Sequence, residues 1–393
     1  MSHYTPSALP NMRIDAADLL RGIAVAGIIS LHFIEHLNFY NFPPPTKLDT
    51  AVWDVAFFVL SNKMYAIFAM LFGLTLFVQH DNQARRGRDF RPRFAWRMVL
   101  LFCFGLVNLM FFNGDILTVY AVCGLLVLPF VRAGNRMLLA AAVFFGLQPI
   151  ELFYFIGSLL DPSLQPLNLG SDDLFVAILP AQEGGSWLDV AAAGLRYGLP
   201  VNFTWAIEHG RFTQTLFLFL LGLWIGRRRL LYDEGRNAVM WRRAMLWSVV
   251  AFAVLCPLRY TVPQMFGQGC ASASLTVMLD MWKNLSMTLF YVSAITLAYH
   301  RTRARRLLSK VLPYGKTSLT NYIGQSVAGG FLFYHWGLGL YSVCGHTLSL
   351  LLAFVFIALQ FTFCRLWLRS HKRGPLEQLW HKATWAGSGK SGK

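Results

Sequence analysis

The sequence predicts an all-α, polytopic membrane helix bundle of about ten transmembrane helices with both termini on the cytoplasmic side. Three observations predict it. Hydrophobic residues make up 55% of the 393 residues and charged residues only 14%, well below the quarter usual in soluble domains. Ten apolar stretches come close to the ~20 residues that cross a bilayer as a helix. Basic residues cluster in every second connection, which is the positive-inside pattern.

Taken in order, the stretches are 18–37, 51–79, 96–113, 116–132, 137–160, 212–227, 241–262, 276–299, 317–336 and 347–368. The fourth and sixth are short, and the second is long enough to be tilted. Arginine runs follow the second span (Arg85, Arg86, Arg88, Arg91, Arg93), the sixth (Arg227, Arg228, Arg229) and the eighth (Arg301, Arg303, Arg305, Arg306). Smaller basic groups follow the fourth and tenth. The intervening loops hold little beyond Lys47, Arg196 and Arg211. An even number of spans agrees with this alternation. The chain reads as one integral domain over 1–393. Residues 161–211 form the one long outer loop, with an interfacial helix or cap in 187–206. Residues 384–393 read as a disordered tail.

The net charge of +16 invites a nucleic-acid reading, but the charges lie in clusters between apolar segments, so no nucleic-acid partner is expected and the lipid bilayer is. The cysteines at 103, 123, 256, 270, 344 and 364 have neither zinc-site nor redox spacing, and no metal is expected. Cys270 and Cys344 fall in loops on the same outer side, where a disulfide is permitted.

The first span carries the oddity that organises the rest. Arg21 and His32 are eleven residues apart, close to three full turns, so they share one helix face roughly 16 Å apart along the axis. Ionisable groups in lipid are costly and usually line a cavity. Lys63 lies mid-span in the second stretch, either in an ion pair with Asp54 or Glu35 or in contact with a substrate. Asp115, in Asn113-Gly114-Asp115, either caps the fourth span or stands at the mouth of a cavity. In the ninth span Ser318, Asn321 and Gln325 follow 3-4 spacing. Interhelical packing suits Ser318, and a polar channel face suits Asn321 and Gln325. Asp280 with Lys283, and Asp18 with Arg21, read as i,i+3 ion pairs.

An arginine eleven residues before a histidine in the first span resembles the membrane acyltransferases that O-acetylate bacterial surface polysaccharides. Over nearly its full length the chain resembles the YeiB family of uncharacterised bacterial membrane proteins. That likeness rests on Asp18-x-x-Arg21-Gly22, Lys63-x-Tyr65 with Leu71-Phe72-Gly73, Gly114-Asp115-Ile116-Leu117 with Tyr120, Leu319-Thr320-Asn321-Tyr322 with Gln325, and Gly374-Pro375-Leu376-Glu377. The YeiB group stands beside heparan-alpha-glucosaminide N-acetyltransferase among the transmembrane acyltransferases. The resemblance implies a bacterial inner-membrane protein and acyl-CoA entering from the cytoplasm. One departure is informative. The YeiB pattern has asparagine at the position of His32, and a histidine seven residues before the Gly-Asp turn, where this chain has Asn108. With the two exchanged, His32 and Asn108 are expected to face each other across one cavity.

The expected function is acyl transfer from cytoplasmic acyl-CoA to an acceptor reached from the outer face. His32 would be the general base, Asn108 would orient it or the acceptor, and Lys63 would stabilise the oxyanion. Arg21 would hold the anionic part of CoA. Asp115 and Tyr120 would sit on the acceptor side, and Asn321 and Gln325 would line the cavity formed by spans 1, 2, 3 and 9. A transporter or channel for a small solute or lipid would use the same buried polar residues, although no duplicated halves accompany them. A homodimer is compatible with the sequence.

Overall fold

A computed structural model describes residues 13–35, 43–232, 235–300 and 302–386. Among these residues all regular structure is helical. In chain order the helices are α1 (Asp15–Glu35), α2 (Lys47–Leu60), α3 (Lys63–Ala84), α4 (Arg91–Leu109), α5 (Leu117–Val127), α6 (Asn135–Gly146) and α7 (Pro149–Leu160). Four short helices follow, α8 (Ser171–Val176), α9 (Leu179–Gly184), α10 (Trp187–Ala193) and α11 (Leu199–Glu208). The remainder are α12 (Arg211–Arg227), α13 (Gly235–Thr261), α14 (Cys270–Tyr299), α15 (Thr302–Leu308), α16 (Leu312–Lys316), α17 (Ser318–Phe333), α18 (His346–Ser370) and α19 (Pro375–Trp385).

Five helical segments are long and apolar enough to cross a membrane: Asp15–Glu35, Lys47–Ala84, Arg91–Leu109, Asn237–Phe266 and His346–Ser370. The bent pair α6 and α7 makes a sixth if counted as one. The other expected stretches are helical too, but shorter or less apolar. Their burial differs widely. Within the most apolar window, 78% of the first segment is buried but only 6% of Asn237–Phe266. The first helix is therefore the centre of the bundle, and the α13 region is its margin.

Two expected continuous spans are broken. The second breaks at Ser61-Asn62, where Asn62 takes a left-handed backbone (φ 67°), which asparagine tolerates better than most residues. The fifth bends by 53° between α6 and α7. Gln148 is left-handed there (φ 57°) and precedes Pro149, which disfavours the right-handed helical region for its neighbour.

Close helix passes hold the centre together. A Cβ at Gly73 would collide with the Phe219 carbonyl, and one at Gly222 with the Met70 carbonyl. So α3 and α12 touch backbone to backbone, as small residues allow between membrane helices. Gly315 lets α16 meet α1 at the Asp18 carbonyl in the same way. Polar clasps join the ends. Asp49, in a capping box with Thr46, also accepts from the Thr347 amide and hydroxyl at 2.9 and 2.7 Å, which ties α2 to the start of α18. The Ser349 hydroxyl donates to the Phe33 carbonyl. All six cysteines are free thiols. Cys270 donates toward the Tyr154 carbonyl, so the disulfide that the loop positions permitted with Cys344 is not formed.

Of the stretch 384–393, Thr384 and Trp385 belong to α19, with Thr384 buried. Residues 387–393 lie outside the described residues.

Candidate functional site: two cavities along the first helix

The exposed stretch of α1 faces two cavities in succession. The larger, about 790 Å³, takes in Arg21, and the smaller, about 480 Å³, takes in His32. Eleven residues separate them on one face, as the spacing required.

The Arg21 cavity is strongly basic. Arg13, Arg21, Arg97, Lys316, Lys372 and Arg373 line it against two carboxylates, Asp18 and Glu377. Arg21 donates to Asp18 at 2.9 Å and to the Thr75 hydroxyl at 3.1 Å, so its guanidinium is aimed by two helices. Arg13 binds the other oxygen of Asp18 at 2.8 Å. One carboxylate thus serves two arginines, which leaves positive charge unbalanced at the wall.

Helix α19 closes one side of this cavity. Arg93 donates to the Thr384 carbonyl at 2.7 Å, and Trp96 donates to the Ala383 carbonyl at 3.0 Å. The Arg97 guanidinium lies over the Trp380 ring at 4.1 Å. Glu377 accepts the first amides of α17, Leu319 at 2.7 Å and Thr320 at 3.1 Å, and the Thr320 hydroxyl at 2.6 Å. It is an N-cap supplied from another helix, filling donors that every helix start leaves open. Burial pushes its carboxyl above the ordinary range, against those hydrogen bonds. The Gly374-Pro375-Leu376-Glu377 motif is thereby explained as a docking element.

The His32 cavity is different in kind. His32 Nδ1 is hydrogen-bonded to the Gln325 side-chain amide at 2.9 Å, and its Nε2 stands 3.9 Å from Glu35. Phe112 and Tyr322 pack on the ring at 4.8 and 5.8 Å between centroids. Gln325 also donates to Ser326 at 2.9 Å. The cavity is completed by Tyr65, Asp115, Asn202, Trp205 and Arg211. Helices α8, α9 and α11 contribute Asp172, Gln182 and Asn202, so the 161–211 segment covers this cavity as a cap.

A thin partition separates the two. Ile116 lines the His32 cavity and Leu117 the Arg21 cavity. The Tyr322 hydroxyl accepts from the Ile116 amide at 3.2 Å and donates to the Gly114 carbonyl at 3.4 Å. Tyr120, on the Arg21 side, donates to the carbonyl of Tyr65, on the other side, at 3.0 Å. Asp115 holds this turn. It caps α5 by accepting the Thr118 amide at 2.8 Å, and it accepts from Asn108 at 3.1 Å. Asp115 thus supports the start of α5 and also lines the His32 cavity.

Four expected site residues are placed elsewhere. Asn108 is fully buried behind Asp115 and lines neither cavity. It is linked to His32 through Phe112, whose amide donates to the Asn108 carbonyl, but no open space lies between the two as the exchange predicted. Lys63 is 3% exposed and donates to the Phe58 carbonyl at 2.6 Å. The break at Ser61-Asn62 orphans that carbonyl, and the ammonium satisfies it. It pairs with neither Asp54 nor Glu35, and it lines neither cavity. Asn321 is spent on packing. Its amide donates to Tyr314 and Thr317 at 3.1 Å, and its oxygen accepts from Cys364 at 3.3 Å. Tyr120 lines the Arg21 cavity, not the acceptor side to which it was assigned. Among the described residues no group of three His, Cys, Asp or Glu is placed to hold a metal ion.

Arg211 is the residue sequence reasoning missed. It stood out as one of few basic residues in the loops that were otherwise nearly free of them. It also begins a helix, where the backbone dipole disfavours a cation. Either signal could have marked it.

Comparison with known proteins divides the chain along its length. Residues 13–198 match the family model described as heparan-alpha-glucosaminide N-acetyltransferase, catalytic, and residues 225–387 match a family described only as a protein of unknown function, DUF418. The uncharacterized protein YxaH of Bacillus subtilis is 26% identical, over 98% of this chain and 97% of its own length. An uncharacterized 39.9 kDa protein from the amylase 3′ region of Bacillus acidopullulyticus is 27% identical, over 95% and 94%. The uncharacterized protein YeiB of Escherichia coli is 24% identical, over 95% and 96%. Each of these likenesses runs over nearly the whole chain. Its first half is acyltransferase-like, and that half holds Arg21, His32 and Asp115. Gln325 and Glu377 come from the second matched region, so each cavity draws on both regions.

Proposed function

We propose that this protein is a transmembrane acyltransferase, carrying an acyl group from acyl-CoA on the cytoplasmic side to an acceptor at the outer face of the bacterial inner membrane. The observation that carries the reading is the pair of back-to-back cavities on α1, one basic and one bearing a histidine, divided only by the Tyr120–Tyr322 partition. The ten-span arrangement with both termini cytoplasmic is part of the proposal. It puts Arg21 and the arginine-rich connections on the CoA side.

In this reading the basic cavity takes the phosphates of CoA, and the thioester reaches the partition. Turning the Gln325 amide over lets its oxygen accept from His32 Nδ1–H and from Ser326. His32 Nε2 then faces the cavity as a base. It takes the proton of the acceptor hydroxyl or amine while that oxygen or nitrogen bonds to the thioester carbon. The C–S bond breaks and the CoA thiolate leaves. Glu35 stabilises the imidazolium across 3.9 Å. The Tyr322 hydroxyl takes the oxyanion role first given to Lys63. The test is acyl-CoA-dependent acylation by purified protein in liposomes. Thiol release that His32→Ala abolishes is the expected result. Unchanged release in that variant would overturn the mechanism.

A further inference from the structure

The His32 cavity contains a guanidinium that nothing so far has used. Arg211 opens α12 directly after Gly210, whose backbone is left-handed (φ 64°). The Tyr65 ring lies 4.7 Å from the guanidinium carbon and the Trp205 ring 5.1 Å. Aromatic rings against a guanidinium satisfy its faces but not its N–H edge. The edge is under-satisfied. The Arg211 Nε is buried without a hydrogen-bond partner, and among the described residues no carboxylate lies within the 4 Å of an ion pair. The Tyr65 hydroxyl donates to Gln214 and its oxygen also faces the guanidinium, but that neutral acceptor brings no counter-charge.

A buried cation without a close counter-charge is costly. The carboxylates of the same cavity do not remove that cost. Asp115 is held by Asn108 and Thr118, Glu35 stands 3.9 Å from His32 Nε2 and acts on Arg211 only from beyond ion-pair distance, and Asp172 reaches the cavity from α8. Two more buried polar atoms on this wall, Asn62 Oδ1 and Asn202 Nδ2, also lack partners. The cavity lining thus offers a fork-shaped cation together with an unpartnered acceptor and an unpartnered donor. A planar or tetrahedral oxyanion satisfies such an edge with two parallel N–H bonds.

We propose that the ligand of this cavity carries an oxyanion group, carboxylate or phosphate, which docks on Arg211 and holds a neighbouring hydroxyl or amine toward His32. The proposal depends on the acyl-transfer reading only for calling that ligand an acceptor.

The test is ligand binding to the full chain in detergent, without acyl-CoA, read by native mass spectrometry. Four probes separate the chemistries: glycerol as the uncharged control, glycerate for a carboxylate, glycerol 1-phosphate for a soluble phosphate, and phosphatidylglycerol for a lipid phosphate. At least one charged probe is expected to bind tenfold or more tightly than glycerol, and which one it is names the source of the anion. That binding should fall at least tenfold in Arg211→Gln and less in Arg211→Lys, which keeps the charge but loses the fork. Charged probes no better than glycerol would overturn the proposal, as would equal binding by a folded Arg211→Gln. If the Gln variant does not fold, the wild-type contrast and the Lys variant still decide. Binding by protein that shows no acyl-CoA turnover in the liposome assay would leave the oxyanion site standing and count against the acyltransferase reading alone.

Discussion

The two cavities lie on the same helix face, yet they are built on different principles. The Arg21 cavity gathers six basic side chains from α1, α4, α16, the residue run before α1 and the connection into α19, so positive charge dominates its lining. The His32 cavity is walled by aromatic rings, amides and single charges of both signs, so it recognises arrangement. A site of the first kind suits a multiply charged ligand and tolerates loss of one contact. A site of the second kind fails when one group is misplaced.

This contrast can be broken by mutation. His32→Ala is expected to have the largest effect, a loss of roughly 10²–10⁴ in kcat for acyl-CoA turnover with KM for acyl-CoA nearly unchanged; a large KM change would merge the two sites into one. Gln325→Ala comes next. Losing the amide that orients His32 should lower kcat by roughly ten- to a hundredfold and displace the pH profile of kcat, whereas a merely structural residue would leave that profile in place. Arg21→Ala should act in the opposite sense, raising KM for acyl-CoA about tenfold, in line with loss of one charge-assisted bond, while kcat holds.

The smaller effects concern α19. Glu377→Ala removes the shared cap of α17 and should cost about 1–2 kcal/mol, seen as a drop of a few degrees in Tm; Glu377→Gln, which retains an acceptor, should lose less. His381 should give the mildest signal. Burial, with Arg373 and Arg97 nearby, holds its imidazole below the ordinary histidine range. The unfolded chain therefore binds a proton at higher pH than the folded one, and stability should decline as pH falls below about 6.5. Proteolytic release of the α19 segment on acidification would register it, and release on raising the pH would contradict the sign.

The pairing of Arg21 with His32 was legible because helical period is a local property. So was the importance of the Gly114–Leu117 turn, although not its use as a partition. Asn108 and Lys63 were misjudged for one physical reason. A buried polar residue needs a partner, and a sequence does not say whether that partner is a ligand or a backbone carbonyl across a helix break. The break at Asn62 supplied the carbonyl for Lys63, and the α5 cap supplied the carboxylate for Asn108. Arg211 was overlooked because it stands 176 positions from one of its cavity neighbours at Glu35, with no local pattern linking them.

The sequence by itself determined the helical class, the amphipathic face of α1 and the clustering of basic residues in alternate connections, because apolar run length, helical period and charge spacing are one-dimensional. Only the tertiary structure decided that this face opens on two cavities, that α19 clasps one and the 161–211 segment caps the other. Those outcomes depend on which carbonyls, carboxylates and rings meet across helices packed at glycine contacts, and such meetings are settled by three-dimensional packing.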